Sequence, residues 1–206
     1  ALDKEFDLKL NEFSSIEAQI ASIADDIAYN NHDLDDGLRA GFFSYDDLAE
    51  LPMIGEIIKN FPKNYNSYDM QRINNEITRK STSIMITDVI NTISEKVKKS
   101  KVRCNEDVRL NNEKIADFSD KTKEEVKYIR SFLSMKMYNH DKVKAMTSNA
   151  HQIISSLFKL FIEQDEKFIK EHMKKIISDE DKPRAVCDFI AGMTDNYAQN
   201  FYSKFN

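Results

Sequence analysis

The chain has 206 residues, of which 41% are hydrophobic and 32% charged, and a net charge of −5 at pH 7. Only four glycines and three prolines are present, which argues against β-sandwiches, barrels and Rossmann sheets because those folds use turn residues at every corner. The acidic balance gives no electrostatic argument for nucleic acid as a partner, and no run approaches the ~18 apolar residues of a membrane span.

The first predicted helix follows a polar stretch at residues 1–12. Ser14 is followed three residues later by Glu17, which is the spacing of a capping box. The helix that this signal opens is predicted to run through Arg39, and Gly41 is placed to terminate it.

Two short helical pieces and one long helix come next. The short pieces are predicted at residues 46–51 and 53–59, separated and ended by Pro52 and Pro62. The long helix is predicted over residues 70–99, because apolar and small residues recur there at helical spacing. The residues on this spacing are Ile73, Ile77, Ile84, Thr87, Ile90 and Val97.

The remaining segments alternate between helix and polar connection. Residues 100–120 are predicted to form an irregular excursion, and helices are predicted over 122–137 and 141–162. A charged segment at 165–177 follows, and Pro183, as an early helix residue, introduces a last helix through about Tyr202. Because no segment shows the period-2 pattern of a strand, the sequence predicts an all-α, multi-helix fold with one helical domain over residues 1–206.

The segment at residues 24–39 differs from the others because its two faces separate sharply. At 100° per residue, one stripe of the helix is apolar and is predicted to face the core. That stripe contains Ile16, Ile20, Ile23, Ile27, Leu34 and Leu38. The opposite side carries Asp25, Tyr29, His32, Asp33 and Asp36, and Asp25, Tyr29 and Asp33 follow an i, i+4, i+8 ladder along one edge.

This acidic edge has two interpretations. Five aspartates lie between positions 25 and 36, with no lysine or arginine among them. Like charges at i, i+4 weaken a helix, and acidic residues near its C-terminal end oppose the macrodipole. A cation or a ligand would offset that cost, whereas the simpler interpretation is a solvated acidic face.

The amino-acid sequence of this stretch resembles that of a known protein family. The segment SIEAQ at 15–19, the run DDIAYNNHDLDDGLRAG at 25–41 and the segment DFIAGMTDNYA at 188–198 are similar to bacterial deoxyguanosine-triphosphate triphosphohydrolase-like proteins of the HD phosphohydrolase superfamily. Phe132-Leu133, Met137-Tyr138 and His140 fit the same pattern, so the resemblance covers nearly the whole chain.

The resemblance implies an all-α enzyme that hydrolyses a deoxynucleoside triphosphate to the deoxynucleoside and tripolyphosphate. Such enzymes bind divalent metal, with Mg²⁺ or Mn²⁺ expected here, through a quartet in the order His, His-Asp, Asp. Carried over to this chain, Asp25 corresponds to the last metal ligand. Tyr29 corresponds to the tyrosine that packs against the deoxyribose, and Asp33 to the aspartate that binds the sugar 3′-hydroxyl. A cytoplasmic homo-oligomer is the expected setting.

The chain departs from that pattern upstream of Asp25, where it contains no histidine. The pair His32-Asp33 lacks an earlier histidine. A quartet of His32, His140-Asp141 and Asp188 satisfies the order, but it is rejected because Asn139 or Asp141 is more simply the cap of the helix that follows. The chain is therefore predicted to be the C-terminal half of such an enzyme, to hold one of four metal ligands and to be inactive alone. Its partner would be a separate N-terminal half or further copies of itself.

An alternative of a different class is a non-catalytic helical module that oligomerises or binds a partner. The other polar candidates have simpler interpretations. Arg72, Arg79 and Lys80 either face a triphosphate or are exposed helix charges, and His151 and His172 are interpreted as packing residues. Asp188 and Asp195 share a helix face and are interpreted as structural or exposed. The two cysteines, Cys104 and Cys187, are interpreted as reduced thiols.

Overall fold

The computed structural model describes residues 5–62, 69–164, 168 and 181–205. The chain divides into two compact units, residues 1–139 and residues 140–206, and each unit has its own cluster of buried apolar side chains. The single helical domain expected from the sequence stays a prediction.

Every regular element within the described residues is helical, which confirms the all-α prediction. The first unit contains α1 (Ile16–Arg39), α2 (Tyr45–Ala49), α3 (Pro52–Lys59), α4 (Met70–Ser100), α5 (Asn105–Arg109), α6 (Asp120–Leu133) and a π-helical turn (Ser134–Tyr138). The second unit contains α7 (Asp141–Glu163), α8 (Lys182–Ala191) and α9 (Asp195–Phe205). None of these described helices is long and apolar enough to cross a lipid bilayer.

The ends of α1 follow from local side-chain chemistry. The N-cap is Ser15, whose hydroxyl accepts a hydrogen bond from the Ala18 N–H at 3.4 Å. The capping-box spacing pointed to Ser14, one residue too early. At the other end Gly41 adopts a φ of +69°, the left-handed conformation that ends a helix at little cost for glycine. The predicted terminator is therefore confirmed.

The buried faces of α1 and α4 agree with the sequence only in part. On α1 the apolar stripe is buried from Ile23 onwards, but Ile20 is 41% exposed. On α4 a line of buried positions is spaced by four, with Asn74 buried beside it: Ile73, Ile77, Ser81, Met85 and Val89. Two of the residues on the predicted helical spacing, Ile84 and Ile90, lie about 100° away from that line, since each is one residue from it. They are 43% and 57% exposed, so the helical spacing read from the sequence does not coincide with the buried face of α4.

The segment at 100–120 is mostly irregular, apart from the short helix α5, but it is firmly anchored. Ile115 and Ala116 are fully buried. Their backbone N–H groups donate to the side-chain carbonyl of Gln19 on α1 at 3.0 and 3.1 Å, and the Gln19 amide donates to the Ser14 carbonyl at 2.8 Å. The segment is therefore held to α1 by a buried polar clamp.

The second unit is organised around Phe161 on α7. Its ring lies 5.2 Å from that of Phe189 on α8 and 5.3 Å from that of Phe201 on α9. The prediction of one continuous helix from Pro183 to Tyr202 was wrong. The chain breaks after Ala191, and the hydroxyl of Thr194 accepts from the Tyr197 N–H at 3.2 Å, which starts a new helix.

The charged segment predicted at 165–177, including His172, lies outside the described residues apart from position 168. The helix before it, α7, begins after His140, whose ring nitrogen Nδ1 accepts from the Lys142 N–H at 3.2 Å. His140 is thus the N-cap, in place of the expected Asn139 or Asp141.

Candidate functional site

Two helical segments of the first unit are joined by a pair of polar contacts along their length. The Arg130 guanidinium on α6 lies 3.0 Å from the Asp26 carboxylate on α1. Eight residues further on, the Tyr138 hydroxyl donates to the carboxylate of Asp33, which lies seven residues after Asp26. The segments therefore run in the same direction, and the polar face between them comes from residues about 105 positions apart in sequence. This surface is called the α1/π-turn face below.

The three residues singled out from the sequence all lie at this edge of α1. Asp25 and Tyr29 are exposed, with 58% of Tyr29 accessible, and Asp33 is half-buried beneath the Tyr138 hydroxyl. Partial burial raises the pKa of Tyr138, and hydrogen bonds with Asp33 and Tyr29 raise it further. The phenol is therefore protonated across the physiological range and acts as the donor to Asp33. The structure thus brings Tyr29, Asp33 and Tyr138 together.

A cavity of about 610 Å³ opens beside Arg130. Its charged lining comprises four cations and two carboxylates: Lys114, Lys123, Lys127, Arg130, Asp26 and Asp117. Lys123 pairs with Asp117 at 2.6 Å, as Arg130 pairs with Asp26. The excess of positive charge suits an anion, and α1 contributes Ile23 and Asp26 to the cavity wall.

The basic residues proposed from the sequence at the start of α4 are arranged differently. Arg79 makes two hydrogen bonds to Glu76, at 2.8 and 2.9 Å, and Lys80 lies 3.4 Å from the same carboxylate. With Arg72 they line a separate cavity of about 550 Å³ that contains no residue of α1. The structure therefore does not bring these cations to the α1/π-turn face.

The described residues contain no group of three or more histidine, cysteine, aspartate or glutamate side chains placed to hold a metal ion. Hard divalent cations take about six oxygen or nitrogen ligands, part of which can be water. Asp25 offers one carboxylate, while His32 and His151 are exposed and His140 caps α7. The metal-ligating side chains among the described residues therefore do not form a metal site by themselves.

Three features of this region escaped the sequence reasoning. Asn30 and Asn31 are each only 2% exposed, and their side-chain amides donate to the carbonyls of Asp26 and Ile27 one turn earlier. The pairing of Arg130 with Asp26 also went unpredicted, because it depends on the register between two distant helices. The π-helical turn has no recognisable sequence signal.

Comparison with known proteins shows which family the chain resembles. Residues 116–204 match the family described as "Phosphohydrolase-associated domain". A deoxyguanosinetriphosphate triphosphohydrolase-like protein of Caulobacter sp. (strain K31) is 37% identical over 198 residues, which are 95% of this chain and 50% of that protein. Proteins of the same name from Rhizobium meliloti (strain 1021) and Ruegeria sp. (strain TM1040) are 35% and 33% identical, over 93% and 99% of the chain and 48% and 54% of their own lengths.

These matches confirm the resemblance to the C-terminal half of such proteins. The chain spans about half the length of the curated relatives that it matches.

Proposed function

We propose that this chain forms the C-terminal half of a metal-dependent deoxynucleoside triphosphate triphosphohydrolase, and that the α1/π-turn face is its part of the substrate site. The observation that carries the proposal is the meeting of Tyr29, Asp33 and Tyr138 on the same face as Arg130, which lines a cationic cavity. Sequence similarity to proteins named for this reaction supports it. Alone, the chain is expected to be inactive.

The sugar end of the site would be built from Tyr29 and Asp33. The exposed ring of Tyr29 offers a flat apolar surface against which a deoxyribose can pack. Asp33 already accepts a hydrogen bond from one hydroxyl, that of Tyr138. Since a carboxylate has about four acceptor positions, it can accept a second hydroxyl, such as the 3′-hydroxyl of the sugar.

The phosphate end would lie toward Arg130 and the cavity beside it. A guanidinium presents several N–H donors in a plane that matches phosphate oxygens, and lysines at the cavity wall add positive charge. In the structure described, Arg130 is held by Asp26 at 3.0 Å. That pairing fixes the guanidinium near the face while some of its donors remain directed elsewhere.

Asp25 would contribute one carboxylate ligand to the divalent metal, with Mg²⁺ or Mn²⁺ as the preferred ion. The other ligands must come from outside the described residues, because those residues contain no complete donor cluster. A deoxynucleoside triphosphate is the expected substrate, and a second polypeptide half is the expected partner.

An alternative function is a non-catalytic oligomerisation module. The observation that favours it is the exposure of two apolar side chains on one face of α4, where Ile86 and Ile90 are 45% and 57% accessible. Exposed apolar residues that lie singly are normal, whereas two isoleucines four residues apart on one helix face form a small apolar patch that a partner chain can cover. Such a module would bury this surface between copies or against a partner chain.

A complementation experiment separates the two functions. The half of the Caulobacter sp. relative that this chain does not match is fused upstream of it, and release of tripolyphosphate from dGTP is measured with Mg²⁺ or Mn²⁺. The hydrolase proposal predicts activity in the fusion and its loss with Asp25→Ala, whereas Asp36→Ala, an exposed aspartate on the same helix, serves as the matched control.

The opposite outcome is equally informative. An assembled fusion whose activity is unchanged by Asp25→Ala contradicts the assignment of Asp25. A fusion without activity, combined with loss of oligomers when Ile86 and Ile90 are changed to aspartate, supports the module instead.

A further inference from the structure

The turn that carries Tyr138 is closed in an unusual way. At Ser134–Tyr138 the backbone is π-helical, and the Ser134 carbonyl accepts the backbone N–H of Asn139 at 3.1 Å. The side-chain amide of Asn139 donates to the same carbonyl at 2.8 Å. A single residue therefore supplies both donors that hold the wider turn on Ser134, and short π segments of this kind are frequent at functional sites.

The wider turn changes where Tyr138 points. In a regular α-helix, position 137 lies about 20° from the direction of Arg130, and position 138 lies about 80° away. A π-turn accommodates one extra residue, so position 138 takes the direction that position 137 would otherwise have. Arg130 and Tyr138 consequently both reach α1, at Asp26 and Asp33.

The turn is also fixed from its other side. The Lys136 ammonium lies 2.9 Å from the Asp47 carboxylate, and Asp47 closes the capping box of α2 by accepting the Ser44 backbone N–H at 2.8 Å. The π-turn is thus attached to α2 through Lys136 and to α1 through Tyr138. It is a defined structure with contacts on two sides rather than a frayed helix end.

We propose that Asn139 is a positioning residue, which holds the π-turn closed on the Ser134 carbonyl and thereby keeps the Tyr138 hydroxyl on Asp33. The relevance of this contact to a sugar hydroxyl rests on the proposed function. The contact itself does not, because it joins residues of this chain only. When the side-chain donor of Asn139 is removed, the Ser134 carbonyl can accept the nearer N–H of a regular α-turn, and Tyr138 rotates away from Asp33.

The test follows the Tyr138 phenol by NMR in the free chain labelled with ¹³Cζ-tyrosine, without metal or nucleotide. Tyr138→Phe identifies the resonance. Burial and the contacts with Asp33 and Tyr29 raise the Tyr138 pKa, so in the unaltered chain this resonance titrates above the ordinary value of about 10. In Asn139→Ala its midpoint is expected to shift down toward that value, while far-UV circular dichroism stays unchanged.

Asn60→Ala is the matched control. Asn60 also follows a helix end, is exposed, and donates its side-chain amide to a helix carbonyl, that of Glu56 at 2.8 Å. Its removal is expected to leave the Tyr138 titration where it was. A general loosening of helix ends would instead shift Tyr138 in both variants, and that result overturns the proposal.

A second variant tests the geometry directly. Deletion of the 69% exposed Met135 in the Asn139→Ala background places Tyr138 seven positions after Arg130, where a regular α-helix faces α1 again. The raised titration midpoint is expected to return. Failure of a folded deletion variant to restore it contradicts the proposal, as does an Asn139→Ala titration identical to that of the unaltered chain.

These results are independent of the hydrolase assignment. A lower titration midpoint of Tyr138 in Asn139→Ala supports the positioning role even if the fusion described above hydrolyses nothing. In the converse case the fusion is active while Asn139→Ala leaves the Tyr138 titration midpoint the same as in the unaltered chain. That result contradicts the positioning role and leaves the hydrolase proposal intact.

Discussion

The first unit contains two charged helix surfaces that differ in where the partners of their carboxylates lie. At the start of α4, Glu76 is compensated by Arg79 and Lys80, three and four residues along the same helix. On α1, Asp26 pairs instead with Arg130, and Asp33 accepts a hydrogen bond from the Tyr138 hydroxyl, both from a distant segment. An ion pair between side chains of one helix requires no tertiary structure. A polar contact between two segments holds those segments in register.

The two surfaces also differ in the groups that they leave exposed for a ligand. The α4 cations are occupied by their own glutamate, and Lys80 additionally lies 5.1 Å above the Phe61 ring. The α1/π-turn face presents an exposed tyrosine, a shared carboxylate and a cationic cavity. Four predictions test whether contacts between segments differ in consequence from contacts within a helix.

The largest effect is expected for Gln19→Ala. Gln19 is 1% exposed and its carbonyl satisfies two buried backbone N–H groups of the 100–120 segment. Leaving a buried donor unsatisfied costs roughly 1–3 kcal/mol, so the free energy of unfolding is expected to fall by about 3 kcal/mol. Urea denaturation measures it, with Gln71→Ala on the exposed surface of α4 as control. Equal effects of the two changes would contradict the clamp.

The next effect concerns the affinity of the fusion protein for tripolyphosphate. Arg130→Ala removes a charge-assisted contact at the cavity, and such contacts contribute about 1.5–3 kcal/mol, or roughly 10–100-fold in affinity. Isothermal titration calorimetry should show this weakening for Arg130→Ala and no change for Arg79→Ala. A loss confined to Arg79→Ala would mean that the phosphate end lies at α4 instead.

A smaller effect depends on pH. The Ser44 backbone N–H, the Lys136 ammonium and the Ser44 hydroxyl lower the pKa of Asp47 to about 2. Because the folded-state pKa lies below the unfolded value of about 3.9, this stabilisation is present above pH 4 and is lost as pH falls from about 4 to about 2. Asp47→Asn should therefore make the unfolding free energy less dependent on pH in that window, as measured by denaturation at stepped pH.

The smallest effect is expected for Glu76→Gln. The pairs of Glu76 with Arg79 and Lys80 are exposed and lie within one helix, and such pairs contribute about 0.5 kcal/mol or less. Urea midpoints with and without 0.5 M salt should differ little between this variant and the unaltered chain. A loss comparable to that of Gln19→Ala would erase the distinction between the two kinds of contact.

The sequence predicted those features that are encoded locally. The ends of α1 and α3 and the span of α4 depend on caps, proline and apolar period, and all three were recovered to within one or two residues. The acidic ladder of Asp25, Tyr29 and Asp33 was visible because its members lie on one helix. The break after Ala191 was missed, although Thr194 is a good helix N-cap, because the apolar period continues across it.

Features that depend on register between segments could not be predicted. Tyr138 meets Asp33 only because a π-turn shifts its direction, and no periodicity in the sequence encodes that shift. Ile84 and Ile90 fit a helical period, yet the buried line of α4 runs one residue away from each. Asn31 is buried within an apolar stripe, where its amide donates to the Ile27 carbonyl, and composition alone would have placed it outside.

The most direct test of the central claim, that the acidic edge of α1 is half of a metal and substrate site, is a Mn²⁺ titration followed by electron paramagnetic resonance. The fusion with the unmatched half of the Caulobacter sp. relative is compared with its Asp25→Ala and Asp36→Ala variants. The account predicts tight Mn²⁺ binding that Asp25→Ala abolishes and Asp36→Ala retains. Tight binding that is the same in all three proteins would contradict it.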